Sequence, residues 1–229
     1  MNRYSEVTNK NKREIVLLKA FPCVWGKCNF CDYIEDNSKN EKEINKINFE
    51  VLENITGKYG VLEVINSGSC FELPKKTLEK IREIIKEKNI KKLFLESHWC
   101  YKNKLDDIRK FFGIPIIFKI GVETFDSDFR NNILNKNAKF KNFEEVKEYF
   151  QSVCLMVGIK GQTKEMIKKD IDIVLNNFSY STINIYTENT TPFKRDEELI
   201  KWFEKEYRFL ENKDNVEVLF ENTDFGVGE

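Results

Sequence analysis

The segment FPCVWGKCNFC, residues 21–31, carries Cys23, Cys28 and Cys31 at a Cys-x4-Cys-x2-Cys spacing. A Cys-x2-Cys pair can turn two thiolates onto one centre. The four residues before it, Gly26 among them, let the third thiolate reach the same place. Structural zinc generally takes four ligands, whereas an iron–sulfur cubane held by three thiolates leaves one iron open to a non-protein ligand. Zinc ligation completed by Cys70, Cys100 or His98, and a thiol redox pair, are the other readings of the pattern. Three disulfides are not expected from the six cysteines. The opening MNRYSEVTNKNKR lacks the apolar core of a signal peptide, and no apolar run approaches the roughly 18 residues of a membrane span. A cytoplasmic protein is therefore expected, in a compartment that keeps thiols reduced.

A loop with this chemistry has to be held by regular elements, and the flanking sequence supplies them as a repeated beat. Ile15 to Lys19 reads as a buried strand ending at the cysteine loop. Ile44, Ile47, Val51 and Ile55 recur at helical steps and stop at Gly57. Further strands are expected at Val61 to Ile65, Leu93 to Leu95, Ile116 to Val122, Val153 to Val157 and Thr182 to Thr187. Helical patterns lie between them, one of them capped by Thr163. Six strand-helix units imply parallel strands with right-handed crossovers. A closed eight-unit barrel takes about 250 residues. In 229 residues the expected fold is therefore α/β, a partial (β/α)6 barrel forming a single domain over 1–229. Its core spans about 14–190, and residues 191–229 form a short C-terminal helix-strand extension. A doubly wound sheet is the alternative. Val216 to Phe220, the final apolar run, is a strand for this sheet or for pairing with a second copy in a homodimer.

In either architecture chemistry belongs where strands end and the following loops begin. Polar residues recur at those positions: Ser67 and Ser69, Glu96 and His98, Glu123, Lys160, then Glu188 and Asn189. Any one of them is also an ordinary cap. Trp99 and Tyr101 suit stacking on a planar base or closing a lid. Cys70, Cys100 and Cys154 read as small buried apolar residues.

The loop and its position after the first strand resemble the radical S-adenosylmethionine (radical SAM) superfamily. The resemblance implies a 4Fe-4S cluster on Cys23, Cys28 and Cys31 with S-adenosylmethionine (SAM) on the open iron. The commonest family spacing is Cys-x3-Cys-x2-Cys, so this loop carries one extra residue. Phe30 matches the aromatic residue whose backbone faces adenine. Asn66-Ser67-Gly68-Ser69 stands where the family often has Gly-Gly-Glu at the methionyl amine, without that glutamate. The Ser-Gly-Ser turn, Glu96-Ser97 and Gly121-Val122-Glu123-Thr124 look like the subgroup containing the Elongator catalytic subunit and the archaeosine enzyme. Asn66, Ser67, Gly68, Ser69 and Glu96 are thereby implied as cofactor-binding residues. An electron donor such as flavodoxin or ferredoxin is implied as partner.

Charge bounds the substrate. With 38 Lys+Arg against 38 Asp+Glu, a long nucleic acid is disfavoured, because neutralising many phosphates calls for a basic excess. Among short family members, FPCVWGKCNFCDY looks most like lyases that free a 7-deazaguanine base from a nucleoside 5′-phosphate. By chemistry type, Glu123 or Glu188 would read the guanine-like edge, Lys160 or His98 would meet the phosphate, and Glu123, His98 and Lys160 are the candidate catalytic groups. A tRNA-modifying radical SAM enzyme, a zinc-binding module and an electron-transfer iron–sulfur protein are the competing readings.

Overall fold

Each strand is explained by which faces it buries. The computed structural model describes residues 1–228. In chain order it has strands and helices β1 (Tyr4–Val7), β2 (Arg13–Leu18), α1 (Glu41–Leu52), β3 (Val61–Asn66), α2 (Lys75–Glu87), β4 (Lys92–Glu96), α3 (Leu105–Phe112) and β5 (Ile116–Glu123). These are followed by α4 (Phe143–Tyr149), β6 (Ser152–Val157), α5 (Lys164–Asn177), β7 (Tyr180–Ile185), α6 (Glu197–Glu206) and β8 (Val216–Leu219). The strands hydrogen-bond in chain order, β1 to β8. Near-continuous burial of β2 and of all six residues of β6 is what parallel strands covered on both faces require. The fold is α/β and of the partial-barrel class.

The described chain divides into two compact units, residues 1–26, 33–118 and 225–228 in the first and residues 27–32 and 119–224 in the second. In the first unit β2, β3 and β4 pair in parallel, and β1, which the periodicity did not announce, pairs antiparallel with β2. The side chains of Asn40 and Asn48 do the local polar work here. Asn40 caps α1, and Asn48 holds both backbone groups of Lys19 just past β2. Arg13 and Glu63, both fully buried, form an ion pair beneath Phe94 and Phe225. Gly57 does not end α1, which closes at Leu52. Its φ of +81° and a Cβ position 2.2 Å from the Lys88 carbonyl make it the point where the chain passes the end of α2.

In the second unit β6 pairs in parallel with the end of β5, β7 with β6, and β8 with β7. The register slips between Gly121 and Glu123. Thr163 caps α5 by accepting from the Met166 N–H at 3.2 Å, and Ile167, Ile171 and Val174 are buried. Residues Phe129–Ile133 form a single turn of π-helix. The C-terminal helix gives way after Glu206 to a 3-10 turn at Arg208–Asn212. Among the described residues no helix is long and apolar enough to cross a membrane.

Candidate active site

In the first unit, the end of β3 runs into the turn Asn66 to Glu72, and the Cys23 backbone lies against it. A Cβ added at Gly68 would sit in ordinary contact with Cys23 Cα at 3.5 Å and tightly against Glu72 Oε2 at 3.0 Å, so the glycine lies directly beside the cysteine. Asn37, with its amide oriented to satisfy both neighbours, accepts from the Cys23 N–H (3.2 Å) and donates to the Ser67 carbonyl (3.3 Å). Glu72 completes the arrangement. Its carboxylate accepts from the backbone N–H groups of Ser69 and Val24 and from the Tyr101 hydroxyl at 2.9 Å. Burial pushes the Glu72 carboxyl up, and those three donors oppose the shift.

Glu72 was missed in the sequence, although Ser69-x-x-Glu72 is the spacing of a capping box and could have revealed it. No glutamate occupies the Gly-Gly-Glu position. The buried carboxylate three residues on holds the backbone of the turn instead.

Asn66, 6% exposed, donates to the Ser69 carbonyl at 3.0 Å, while its Oδ1 has no partner. A buried acceptor without a donor is costly unless a bound group supplies one. Ser69 Oγ accepts from the His98 N–H at 2.8 Å, and His98 Nδ1 accepts from the Cys100 N–H. The stacking expectation divides: Tyr101 already stacks on Phe71 at 4.4 Å, and Trp99 is buried with Lys102 over its ring. Glu96 is half-buried at the end of β4. Cys70 is fully buried and its thiol is pushed up by burial. Cys100 corrects the expectation that it is a buried apolar residue, because it is exposed.

In the second unit, Cys28 and Cys31 are half-buried and the Cys31 N–H donates to the Cys28 carbonyl at 3.3 Å. Phe30 packs against the cluster of Phe129, Leu134, Met156, Ile159 and Tyr186, and its carbonyl accepts from Asn189 Nδ2 at 2.8 Å. Glu123 is buried at the end of β5 with φ +64°, and its Oε1 takes a hydrogen bond from Lys136 Nζ at 2.6 Å. Lys160 is exposed after β6. Glu188, also exposed, binds Lys194 Nζ at 3.0 Å and the Arg195 N–H at 3.1 Å, which lower its carboxyl. Thus Glu123 meets a cation that the sequence did not nominate, while Lys160 lies close enough to Glu188 to contribute electrostatically.

The donor set fits an iron–sulfur cluster. Cys23, Cys28 and Cys31 are half-buried cysteines of one loop, not joined in disulfides. Among the described residues no three His, Cys, Asp or Glu side chains are gathered as a single metal ion would need. The unpaired Asn66 Oδ1 suits an ammonium donor such as the methionyl amine.

The family model of the radical SAM superfamily matches residues 23–174, and the chain belongs to that superfamily. It is a radical SAM enzyme, whose cofactors are a 4Fe-4S cluster and SAM. The chain is similar, at 60% identity and a TM-score of 0.99 over 100% of both chains, to the queuine lyase from Clostridium spiroforme bound to SAM and queuine. SuiB from Streptococcus suis, bound to S-adenosylmethionine, shares the fold alone: 15% identity and a TM-score of 0.55, covering 92% of this chain and 47% of that one. An uncharacterized protein of Methanocaldococcus jannaschii is 28% identical over 138 residues, 53% of this chain. The match spans 38% of that relative's length.

Proposed function

We propose that this enzyme is a radical SAM lyase that releases the base queuine from queuosine 5′-phosphate in queuosine salvage. The observation that carries the reading is the 60% identity to a queuine lyase over the full length of both chains. The chemistry suits the substrate. A 7-deazaguanine has carbon where purine hydrolases protonate N7, so the base is a poor leaving group for acid catalysis, and weakening the bond from the ribose side is the alternative. When bound, the cluster and SAM supply one-electron cleavage to methionine and a 5′-deoxyadenosyl radical able to take a ribose hydrogen.

The chain's own residues bind, orient and exclude water. Cys23, Cys28 and Cys31 hold the cluster. Asn66 Oδ1, with the Ser67-Gly68-Ser69 backbone, receives the methionyl end of SAM, and the Phe30 backbone and Glu96 serve the adenosyl part. Glu123 or Glu188 accepts hydrogen bonds from the guanine-like edge, and Lys160 or His98 meets the phosphate. A low-potential flavodoxin or ferredoxin supplies the electron. Anaerobic incubation of the reconstituted enzyme with SAM, reductant and queuosine 5′-phosphate, followed by mass spectrometry, should give queuine and 5′-deoxyadenosine. An intact nucleotide, with turnover only on whole tRNA, would overturn the reading.

A further inference from the structure

The second unit contains a charge that none of the roles above uses. Residues Ile133 to Lys136 form a bed for the cysteine loop. The Asn29 N–H donates to the Leu134 carbonyl at 2.9 Å, Asn29 Nδ2 to the Ile133 carbonyl at 2.9 Å, and Asn135 Nδ2 to the Lys27 carbonyl at 2.6 Å. Asn135 and Asn137, on either side of Lys136, both adopt positive φ, 52° and 54°. Asparagine tolerates that region better than other non-glycine residues. The turn they make brings Lys136 Nζ 5.4 Å from the Phe30 ring and within electrostatic reach of the Cys28 and Cys31 thiols.

The ammonium is held there from the other side. Its partner Glu123 sits at φ +64°, a conformation that is strained in a residue other than glycine. Gly121 gives the pair room, since a Cβ there would fall 2.5 Å from Glu123 Oε1 and 2.9 Å from Lys136 Nζ. The strand end is pinned behind it: Arg130 donates to the Thr124 carbonyl at 2.9 Å and Asp170 accepts from the Phe125 N–H at 2.8 Å. The Lys136 side chain is only 15% exposed, so water screens its charge weakly.

We propose that Lys136, clamped by Glu123, is a positioning charge that sets the reduction potential of the cluster on the Cys28 and Cys31 side. This rests on those cysteines being cluster ligands. One electron from a low-potential donor converts the oxidised cluster to the reduced one, with no bond made and no proton moved. The reduced form carries one more negative charge, so a fixed cation beside its thiolates favours it, and the Glu123 carboxylate moderates that cation.

The test is a potentiometric titration of the anaerobically reconstituted protein without SAM, read by electron paramagnetic resonance, with iron determined for each variant. At the wild-type midpoint, Lys136→Gln should lower the ratio of reduced to oxidised cluster about tenfold, which is 59 mV for a one-electron couple. Glu123→Gln should raise that ratio, because it removes a negative charge beside the ammonium, and Lys136→Arg should keep it within about threefold. The opposite signs separate charge from damage. An unchanged midpoint, or both glutamine variants moving the same way, would overturn the proposal. If Lys136→Gln loses its iron, Glu123→Gln decides alone, a rise supporting the proposal and anything else refuting it. Absence of iron from the wild-type protein would instead refute the cluster assignment, and this inference with it.

Discussion

Glu72 takes three hydrogen bonds in a buried position, from Ser69, Val24 and Tyr101, which makes it the residue that holds the turn after β3. Truncation to alanine leaves two backbone N–H groups and one hydroxyl without their acceptor. Glu72→Ala should therefore lose roughly 3 kcal/mol of stability, measured by urea unfolding of the apo protein. Tyr101→Phe, which removes one donor only, should lose about 1 kcal/mol. Equal losses would mean that the backbone contacts carry nothing. Among the cysteines the distinction is chemical. Replacing Cys23, Cys28 or Cys31 by alanine should abolish the iron–sulfur absorbance, while Cys70→Ala, Cys100→Ala and Cys154→Ala should keep it. Cys70 and Cys154 are buried, with Cys70 fully enclosed, and Cys100 lies outside the loop. Loss of iron in any of these last three would redraw the ligand set.

At the scale of elements, helix α5 reaches back to the end of β5 through Asp170. Its carboxyl accepts from the Phe125 N–H, and Thr124 also hydrogen-bonds to it. Burial is the largest influence and pushes its pKa from the usual 3.8 up to about 7, against those hydrogen bonds and the Arg130 charge. A carboxyl raised in the folded state holds a proton that the unfolded chain has already lost. Between about pH 4 and pH 7 stability should therefore fall as pH rises, levelling above about 7. Asp170→Asn removes that proton, so its stability relative to wild type should improve steadily across the same window in urea titrations at stepped pH. A difference independent of pH would show that Asp170 titrates alike in both states.

For the molecule as a whole, the balance of 38 cations against 38 anions bears on what it binds. A nucleoside 5′-phosphate offers one phosphate, so the logarithm of affinity should fall with the logarithm of salt at a slope of about 1 or less. Isothermal titration of the cofactor-loaded enzyme between low and physiological salt measures it. Tight binding of whole tRNA with a steep slope, and none of the free nucleotide, would favour a tRNA substrate instead.

The sequence by itself determined the features written in short-range spacing. The Cys-x4-Cys-x2-Cys loop after a buried strand marked the reactive segment and carried the family resemblance that implies its chemistry, and the alternation of apolar runs with helical stripes named the parallel α/β class. Thr163 announced the cap it makes. Those signals are local, because a thiolate triad, a helical face and a cap each involve residues close along the chain. The Ser69-x-x-Glu72 box was local as well, but its carboxylate also receives Val24, 48 residues away, and Tyr101, 29 away. Tertiary structure alone decided that Glu123 faces Lys136, that Asn37 bridges Cys23 and Ser67, and that Glu188 and Lys160 lie exposed after their strands. Which carboxylate meets which cation depends on a bulge at Gly121, three residues at positive φ and the burial they create. None of these leaves a period or a spacing for the sequence to display.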